Sequence, residues 1–213
     1  MSIEKAYNNW AVQYDTNENI TRDLDKKSTI DTLSNYDFKH VLELGCGTGK
    51  NTEWLLNKAE RIIGIDFSQE MLDIAKKKIK DKRVIFKKAD LTENWDIEDQ
   101  FADLVTSSLT LEHIKNLKHI FNQANLKLKT NGLFFISELH PFKQYLGSRA
   151  KFDTGQGIEE LEVYQHHISD YVDNAKKNGF KLLEIKEWFD KQSIKDIPRL
   201  ISFIFIKIND LPV

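Results

Sequence analysis

The sequence contains one cysteine, no long apolar run and almost no net charge. A single cysteine, Cys46, excludes an internal disulfide and is typical of a reducing compartment. The formal net charge of −2 over 213 residues gives no reason to expect a nucleic-acid or anionic-membrane partner. No apolar run approaches the roughly 20 residues of a membrane helix, and the first ten residues lack a signal-peptide segment. We expect a cytoplasmic monomer or homodimer.

Apolar strand-like runs alternate with helical patterns from about residue 39 onwards. The predicted strands cover 41–44, 61–65, 84–86, 101–107 and 133–137. Strands joined by helices pair in parallel through right-handed crossovers, which predicts a three-layer α/β sandwich. About a dozen residues separate the last two runs, 180–189 and 202–208. That connection is too short for a helical crossover and predicts a C-terminal antiparallel hairpin, so the sheet has seven strands, mostly parallel.

The first predicted strand leads into three glycines at alternate positions, in the run HVLELGCGTGKN at 40–51. A phosphate-binding P-loop would need glycine where Leu44 stands, and a hydroxyl residue for magnesium where Asn51 stands. The dinucleotide pattern G-x-G-x-x-G fails at its last glycine, which is replaced by Lys50. The run E-x-G-x-G-x-G, which begins at Glu43, fits neither of these sites.

Two acids end the next two predicted strands, Asp66 after the second and Asp90 after the third. In an open parallel sheet, ligands bind beyond the carboxyl ends of the strands, near the switch in strand order. Carboxylates at that edge suit hydroxyls and an exocyclic amine, and they would repel a pyrophosphate. The loop and the acids therefore favour a nucleoside without phosphate.

The run ELGCGTG at 43–49 resembles the nucleotide loop of class I S-adenosylmethionine-dependent methyltransferases, of the small-molecule, methyltransferase domain 11/25 type. The resemblance continues through IIGIDFS, FKKADLTE, FADLVTSSLTLEHI and NGLFFISE, and it covers roughly residues 39–138. It implies a Rossmann-like fold and S-adenosylmethionine as the cofactor. Methyl transfer from this sulfonium requires no metal, and the six histidines do not form a metal set.

The resemblance also implies roles for individual residues. Asp66 would hold the ribose hydroxyls, Asp90 and the backbone of Leu91 would read adenine, and backbone near Ser107 would lie beside the methionine part. Glu43 would orient the glycine loop and attract the ligand's ammonium, or would only brace the loop. The predicted cofactor-binding residues are Glu43, Gly45, Cys46, Gly47, Asp66, Phe67, Asp90, Leu91, Ser107, Ser108, Tyr14 and Arg22.

The N-terminal segment carries aromatic residues at helical spacing, among them Tyr7 and Tyr14. In methyltransferases that resemble this one, an N-terminal helix closes over the site. Tyr14 and Arg22 would then reach the methionine carboxylate, because arginine offers a bidentate match and tyrosine a hydroxyl donor. The alternative is an amphipathic helix that uses its aromatic residues only to dock on the core.

Glu138 and His140 follow the fifth predicted strand and are the candidates for a catalytic base. The alternative for both is a loop-bracing role before Pro141. The segment 139–167 is long for a plain connection, and we expect it to cap the substrate, with a structural insertion as the alternative.

We therefore expect one domain made of an N-terminal helical lid (1–38), a cofactor-binding core (39–138), a substrate cap (139–167) and a C-terminal helix and hairpin (168–213). The expected reaction is methyl transfer to a small-molecule acceptor by in-line displacement. The segment TSSLTLEH lacks the Asn/Asp-Pro-Pro-aromatic tetrapeptide of enzymes that methylate amino groups of nucleic acids and glutamine. The alternatives are a catalytically silent S-adenosylmethionine-binding or scaffold protein and a nicotinamide-dependent oxidoreductase.

Overall fold

A computed structural model describes residues 7, 8, 11, 14, 19–147, 151–153, 158–160, 163–190 and 197–208, with backbone alone at 151–153 and 158–160. Its helices are α1 Ile20–Leu33, α2 Thr52–Leu55, α3 Gln69–Lys78, α4 Leu117–Lys127, α5 Pro141–Tyr145 and α6 Ile168–Lys177. Its strands are β1 His40–Leu44, β2 Arg61–Asp66, β3 Val84–Lys88, β4 Ala102–Ser108, β5 Leu128–Leu139, β6 Lys151–Asp153, β7 Ile158–Glu160, β8 Phe180–Trp188 and β9 Leu200–Lys207. Parts of the predicted lid and cap lie outside the described residues.

Seven strands form the central sheet in the order β3-β2-β1-β4-β5-β9-β8. The first five are parallel, and β9 runs antiparallel to both β5 and β8. This confirms the predicted Rossmann-like sandwich and its terminal hairpin. Strand order reverses between β1 and β4, so the loops that follow these two strands meet at the switch point where such sheets bind ligands.

Both faces of the sheet are covered by a hydrophobic cluster. On β5, Phe134 packs into one cluster and the adjacent Phe135 into the other, because successive side chains of a strand point to opposite faces. Phe121 of α4 meets Phe134 edge-on, with ring centroids 5.3 Å apart. Leu33 at the end of α1 belongs to the opposite cluster, which anchors α1 on the sheet.

The helix before β5 differs from its prediction. Apolar spacing placed Ile114 and Leu128 on one long helix, whereas α4 begins at Leu117 and ends at Lys127. The start is fixed by Asn116, whose side chain accepts the backbone N–H of His119 at 3.3 Å. Leu128 already pairs with Ala102 in the sheet, so the turn predicted to end the helix lies inside the irregular first part of β5.

Among the described residues, no helix is both long and apolar enough to cross a membrane. The segment between β5 and α6 contains α5 and a small antiparallel pair, β6 with β7.

Candidate active site

The glycine loop is held in place by close contact with the turn that follows β4. Gly45 has φ +64°, and a Cβ there would lie 2.2 Å from Oγ1 of Thr110. The backbone N–H of Cys46 donates to the carbonyl of Ile65 on β2 at 3.1 Å. Glycine is therefore needed at 45 both for its left-handed conformation and for this approach of one loop to the other.

Asp66, at the end of β2, holds the glycine loop from the opposite side. One carboxylate oxygen accepts the backbone N–H of Gly47 at 2.9 Å, and the other accepts that of Ser68 at 2.8 Å. Burial raises the pKa of Asp66, although the backbone donors Ser68 and Gly47 oppose this rise. The Asp66 carboxyl is thus fixed against the glycine loop by backbone donors, and its contact with a ribose remains a prediction of the resemblance.

Glu43 is buried beneath the loop, where Thr52 Oγ1 donates to its Oε2 at 2.5 Å. Burial raises the pKa of Glu43 to about 8; nearby Asp25 and Asp66 add to this rise, and the Thr52 hydrogen bond opposes it. Thr52 begins α2, so this contact also joins the end of β1 to the next helix.

Helix α1 lies across the glycine loop and is attached to it by the two residues that follow Gly49. Lys50 Nζ donates to Asp23 Oδ1 at 2.7 Å, and Asn51 Nδ2 donates to Asp25 Oδ2 at 3.2 Å. Lys50 and Asn51 therefore both dock α1 on the glycine loop in this structure.

A cavity of about 400 Å³, counted with the solvent at its mouth, opens between α1, the glycine loop and the end of β4. Six of the predicted cofactor-binding residues line it: Tyr14, Arg22, Glu43, Cys46, Gly47 and Ser108. The Arg22 guanidinium lies 4.1 Å from the centroid of the Tyr14 ring and donates to the Tyr14 carbonyl. A Cβ at Gly47 would meet no atom within 4 Å, so the space before the loop is open to a ligand.

Comparisons with known proteins agree with this geometry. Residues 42–136 match the family model described as a methyltransferase domain. Malonyl-[acyl-carrier protein] O-methyltransferase of Priestia megaterium (strain DSM 319 / IMG 1521) is 29% identical to this chain. The alignment covers 94% of this chain and 77% of that protein. Over this region the chain is therefore similar in sequence to methyltransferases.

Solved structures show the same fold. An S-adenosylmethionine-dependent methyltransferase from Mesorhizobium loti superposes with a TM-score of 0.72 at 18% identity, over 86% of this chain and 98% of that one. DhpI in complex with S-adenosylhomocysteine superposes with a TM-score of 0.76 at 17% identity, over 97% and 95% of the two chains.

The matching structures include S-adenosylmethionine-dependent methyltransferases, and the charges of the cavity fit the amino-acid end of that cofactor. The lining holds the guanidinium of Arg22 and the acids Glu43 and Asp25, so both signs of charge that an amino-acid zwitterion requires are present. Among the described residues, no group of three or more histidine, cysteine or acidic side chains could hold a metal ion.

The remaining predicted cofactor residues lie outside the cavity lining. Asp90 is exposed at the end of β3, where its carboxylate accepts the backbone N–H and hydroxyl of Thr92 at 2.8 and 2.7 Å. Leu91 and Ser107 are buried, and the half-buried Phe67 packs its ring on Tyr7. Their contacts with the cofactor remain predictions of the methyltransferase resemblance.

The two predicted catalytic residues both brace local structure. Glu138 Oε1 accepts the backbone N–H groups of Thr110 and Leu111 at 3.0 and 2.8 Å. His140 Nδ1 accepts the N–H of Phe142 at the start of α5 (3.1 Å), and its Nε2 lies 3.1 Å from a carboxylate oxygen of Glu187. These contacts correspond to the loop-bracing alternative, and direct catalytic roles for Glu138 and His140 remain predictions.

Sequence reasoning missed Asp25, which also lines the cavity. The signal was present in α1, where polar residues recur at helical spacing and are buried: Arg22, Asp25, Ser28, Thr29 and Thr32. A search for apolar faces passes over such a helix, whereas a polar buried face indicates a site. Glu112, in the turn after β4, was missed as well; burial raises its pKa to about 7.

Proposed function

We propose that the protein catalyses methyl transfer from S-adenosylmethionine to a small-molecule acceptor. The observation that carries the proposal is the aromatic cover over the carboxyl edge of the sheet. The Tyr7 ring packs against Phe67 and His113 with centroids 5.7 and 5.5 Å away, and its hydroxyl lies 2.9 Å from His113 Nε2. The Tyr14 ring lies 6.5 Å from that of Tyr7 and extends these aromatic contacts to the lining of the cavity.

A covered site suits in-line displacement, because the main task of the enzyme is to hold an acceptor atom against the methyl group. The malonyl-[acyl-carrier protein] O-methyltransferases among the relatives carry names that specify a malonyl group borne on a carrier protein; the acyl group itself is small, which supports an acceptor group of that size here. The near-neutral charge of the chain also disfavours a nucleic-acid acceptor.

The bound cofactor would supply an electrophilic methyl group, and the chain would hold each end of that cofactor. We assign the ribose to Asp66, adenine to Asp90 and the Leu91 backbone, and the methionine carboxylate to Arg22 and Tyr14. Backbone around Ser107 and Ser108 would face the methionine part.

Two buried acids, Glu138 on β5 and Glu112 in the turn after β4, are the candidates to accept a proton from the acceptor. Burial raises the pKa of Glu138 to about 8, with the charge of Glu112 adding to the rise, and burial raises the pKa of Glu112 to about 7. A carboxyl that titrates near neutral pH suits a general base for a hydroxyl or an ammonium. His140 is the other predicted base. We also propose a cytoplasmic location, because a chain with a single cysteine, Cys46, is typical of a reducing compartment.

Turnover tests this proposal. The protein is incubated with S-adenosylmethionine and a panel of small carboxylic acids, phenols and amines, and S-adenosylhomocysteine is quantified by mass spectrometry. Acceptor-dependent product that is lost in Asp66→Ala supports an enzyme with a small acceptor. Binding of S-adenosylhomocysteine without turnover on any acceptor would favour the silent-binder alternative, and binding of NADH in its place would favour the oxidoreductase.

A further inference from the structure

Helix α1 presents a buried acid to the cofactor cavity one turn after Arg22. Asp25 is 5% exposed and lines the cavity. Asn51 donates to its Oδ2 at 3.2 Å, whereas Oδ1 has no partner at hydrogen-bonding geometry in the described part of the chain. A buried carboxylate oxygen without a donor costs free energy, so this oxygen is suited to a donor brought by a ligand.

The cations near Asp25 are each held by another group. Lys50, on the glycine loop, is held by Asp23 at 2.7 Å. The Arg22 guanidinium stacks on the Tyr14 ring and donates to the Tyr14 carbonyl. The protein itself therefore directs no cation to Asp25 Oδ1 within hydrogen-bonding distance among the described residues.

Other ionisable groups also interact with the charge of Asp25: Glu43 of β1, Glu138 of β5 and Tyr14. The side chains of Ser137, Asn51 and Ser108 and the charge of Lys50 stabilise the Asp25 carboxylate, but burial outweighs them and raises its pKa to about 6. A cation bound in the cavity would offset the cost of these buried acids.

We infer that Asp25 binds the ammonium group of the methionine half of S-adenosylmethionine, while Arg22 binds the carboxylate of the same half. Residues three apart on a helix lie on one face, so the two side chains present opposite charges to the cavity, as the amino-acid zwitterion requires. This inference rests on the cofactor-binding part of the proposed function. Helix α1 would then bind the amino-acid end of the cofactor, and Asn51 would connect Asp25 to the glycine loop.

The test is isothermal titration calorimetry with four ligands that differ at the amino-acid end: S-adenosylmethionine, S-adenosylhomocysteine, decarboxylated S-adenosylmethionine and 5′-methylthioadenosine. Asp25→Asn should raise the Kd of the first three, all of which carry the ammonium, about 10- to 100-fold, the range expected for a hydrogen bond to a charged group. It should leave the Kd of 5′-methylthioadenosine within about twofold, because that ligand has no ammonium to lose.

Arg22→Met is the matched control on the same helix face. It should weaken S-adenosylmethionine and S-adenosylhomocysteine but leave decarboxylated S-adenosylmethionine unchanged, because that ligand lacks the carboxylate. A second readout is proton release: at pH 6, the heat of S-adenosylhomocysteine binding should depend on the ionisation enthalpy of the buffer in the wild type and less so in Asp25→Asn. Should Asp25→Asn fail to fold by circular dichroism, this proton release is measured on the wild type and on Asp25→Ser.

The ligand series separates failure of this inference from failure of the proposed function. Equal weakening of all four ligands in Asp25→Asn, or no weakening of any, would overturn the role of Asp25 while leaving the cofactor in place. If the wild type binds none of the four ligands, the cofactor-binding part of the proposed function fails together with the inference.

Discussion

Replacing Glu138 separates its structural role from its charge. Glu138 is 1% exposed, and one of its oxygens accepts two backbone N–H groups, those of Thr110 and Leu111. Its other oxygen, Oε2, has no hydrogen-bond partner among the described residues. Glu138→Gln keeps an acceptor for both N–H groups and removes the titrating proton, whereas Glu138→Leu removes both.

The charge term follows from the pKa of Glu138, which burial raises from 4.5 to about 8. Between these values the folded state holds a proton that the unfolded state has released, so stability falls as pH rises, by about 1.4 kcal/mol per pH unit. Above pH 8 the ionised Glu138 carboxylate lowers the free energy of unfolding by about 5 kcal/mol in total, and this loss is absent below pH 4.5. Glu138→Gln should therefore gain stability relative to the wild type as pH rises from 5 to 8.

The bracing term is independent of pH. Glu138→Leu leaves two N–H groups without their acceptor, at about 1–3 kcal/mol each, while neither variant titrates at this position. The difference between the glutamine and leucine variants should thus stay constant from pH 5 to 9.

Urea unfolding followed by tryptophan fluorescence at pH 5, 6, 7, 8 and 9 measures both terms. If the free energy of unfolding of Glu138→Gln changed with pH in the same way as that of the wild type, Glu138 could not have the raised pKa described above. Equal stability of the glutamine and leucine variants would refute the bracing of the turn after β4.

Three further substitutions test other parts of the account. Lys50→Ala breaks the pair with Asp23. The free energy of unfolding should change by less than about 1 kcal/mol, as for exposed ion pairs, while calorimetry should show weaker S-adenosylhomocysteine binding. Unchanged binding would contradict the docking of α1. Gly45→Ala places a Cβ 2.2 Å from Thr110 Oγ1 at φ +64°. The substitution should lower the free energy of unfolding by at least about 1–3 kcal/mol. An unchanged melting temperature would contradict the contact between the two loops. His140→Asn keeps an acceptor for the N–H that begins α5; turnover near the wild-type rate would assign His140 to bracing, and loss of turnover in a folded variant would assign it to catalysis.

The sheet was predictable because its signals are local. Apolar runs, helical spacing and the length of each connection determined the parallel strands and the hairpin β8–β9. The glycine loop was predictable for the same reason, since positive φ at Gly45 and Gly47 requires glycine in the sequence itself.

The unpredicted parts of the site depend on contacts between distant residues. Asp25 meets Asn51 only after α1 has packed across the loop, and Glu138 reaches Thr110 across 28 positions of the chain. Burial, rather than any local motif, raises the pKa of Glu43, Asp25 and Glu138, and burial depends on the whole fold. Glu138, which the sequence suggests as a base, therefore also holds the turn after β4 in the folded protein.

Calorimetric titration of S-adenosylhomocysteine into the wild type and into Asp66→Ala tests the central claim most directly. Asp66 holds the glycine loop at Gly47 and is the assigned ribose ligand. We expect S-adenosylhomocysteine to bind the wild type one-to-one and to bind the variant at least about tenfold more weakly, because the variant loses one or more hydrogen bonds to a charged group. Absence of binding to the wild type, or equal affinity in the two proteins, would contradict it.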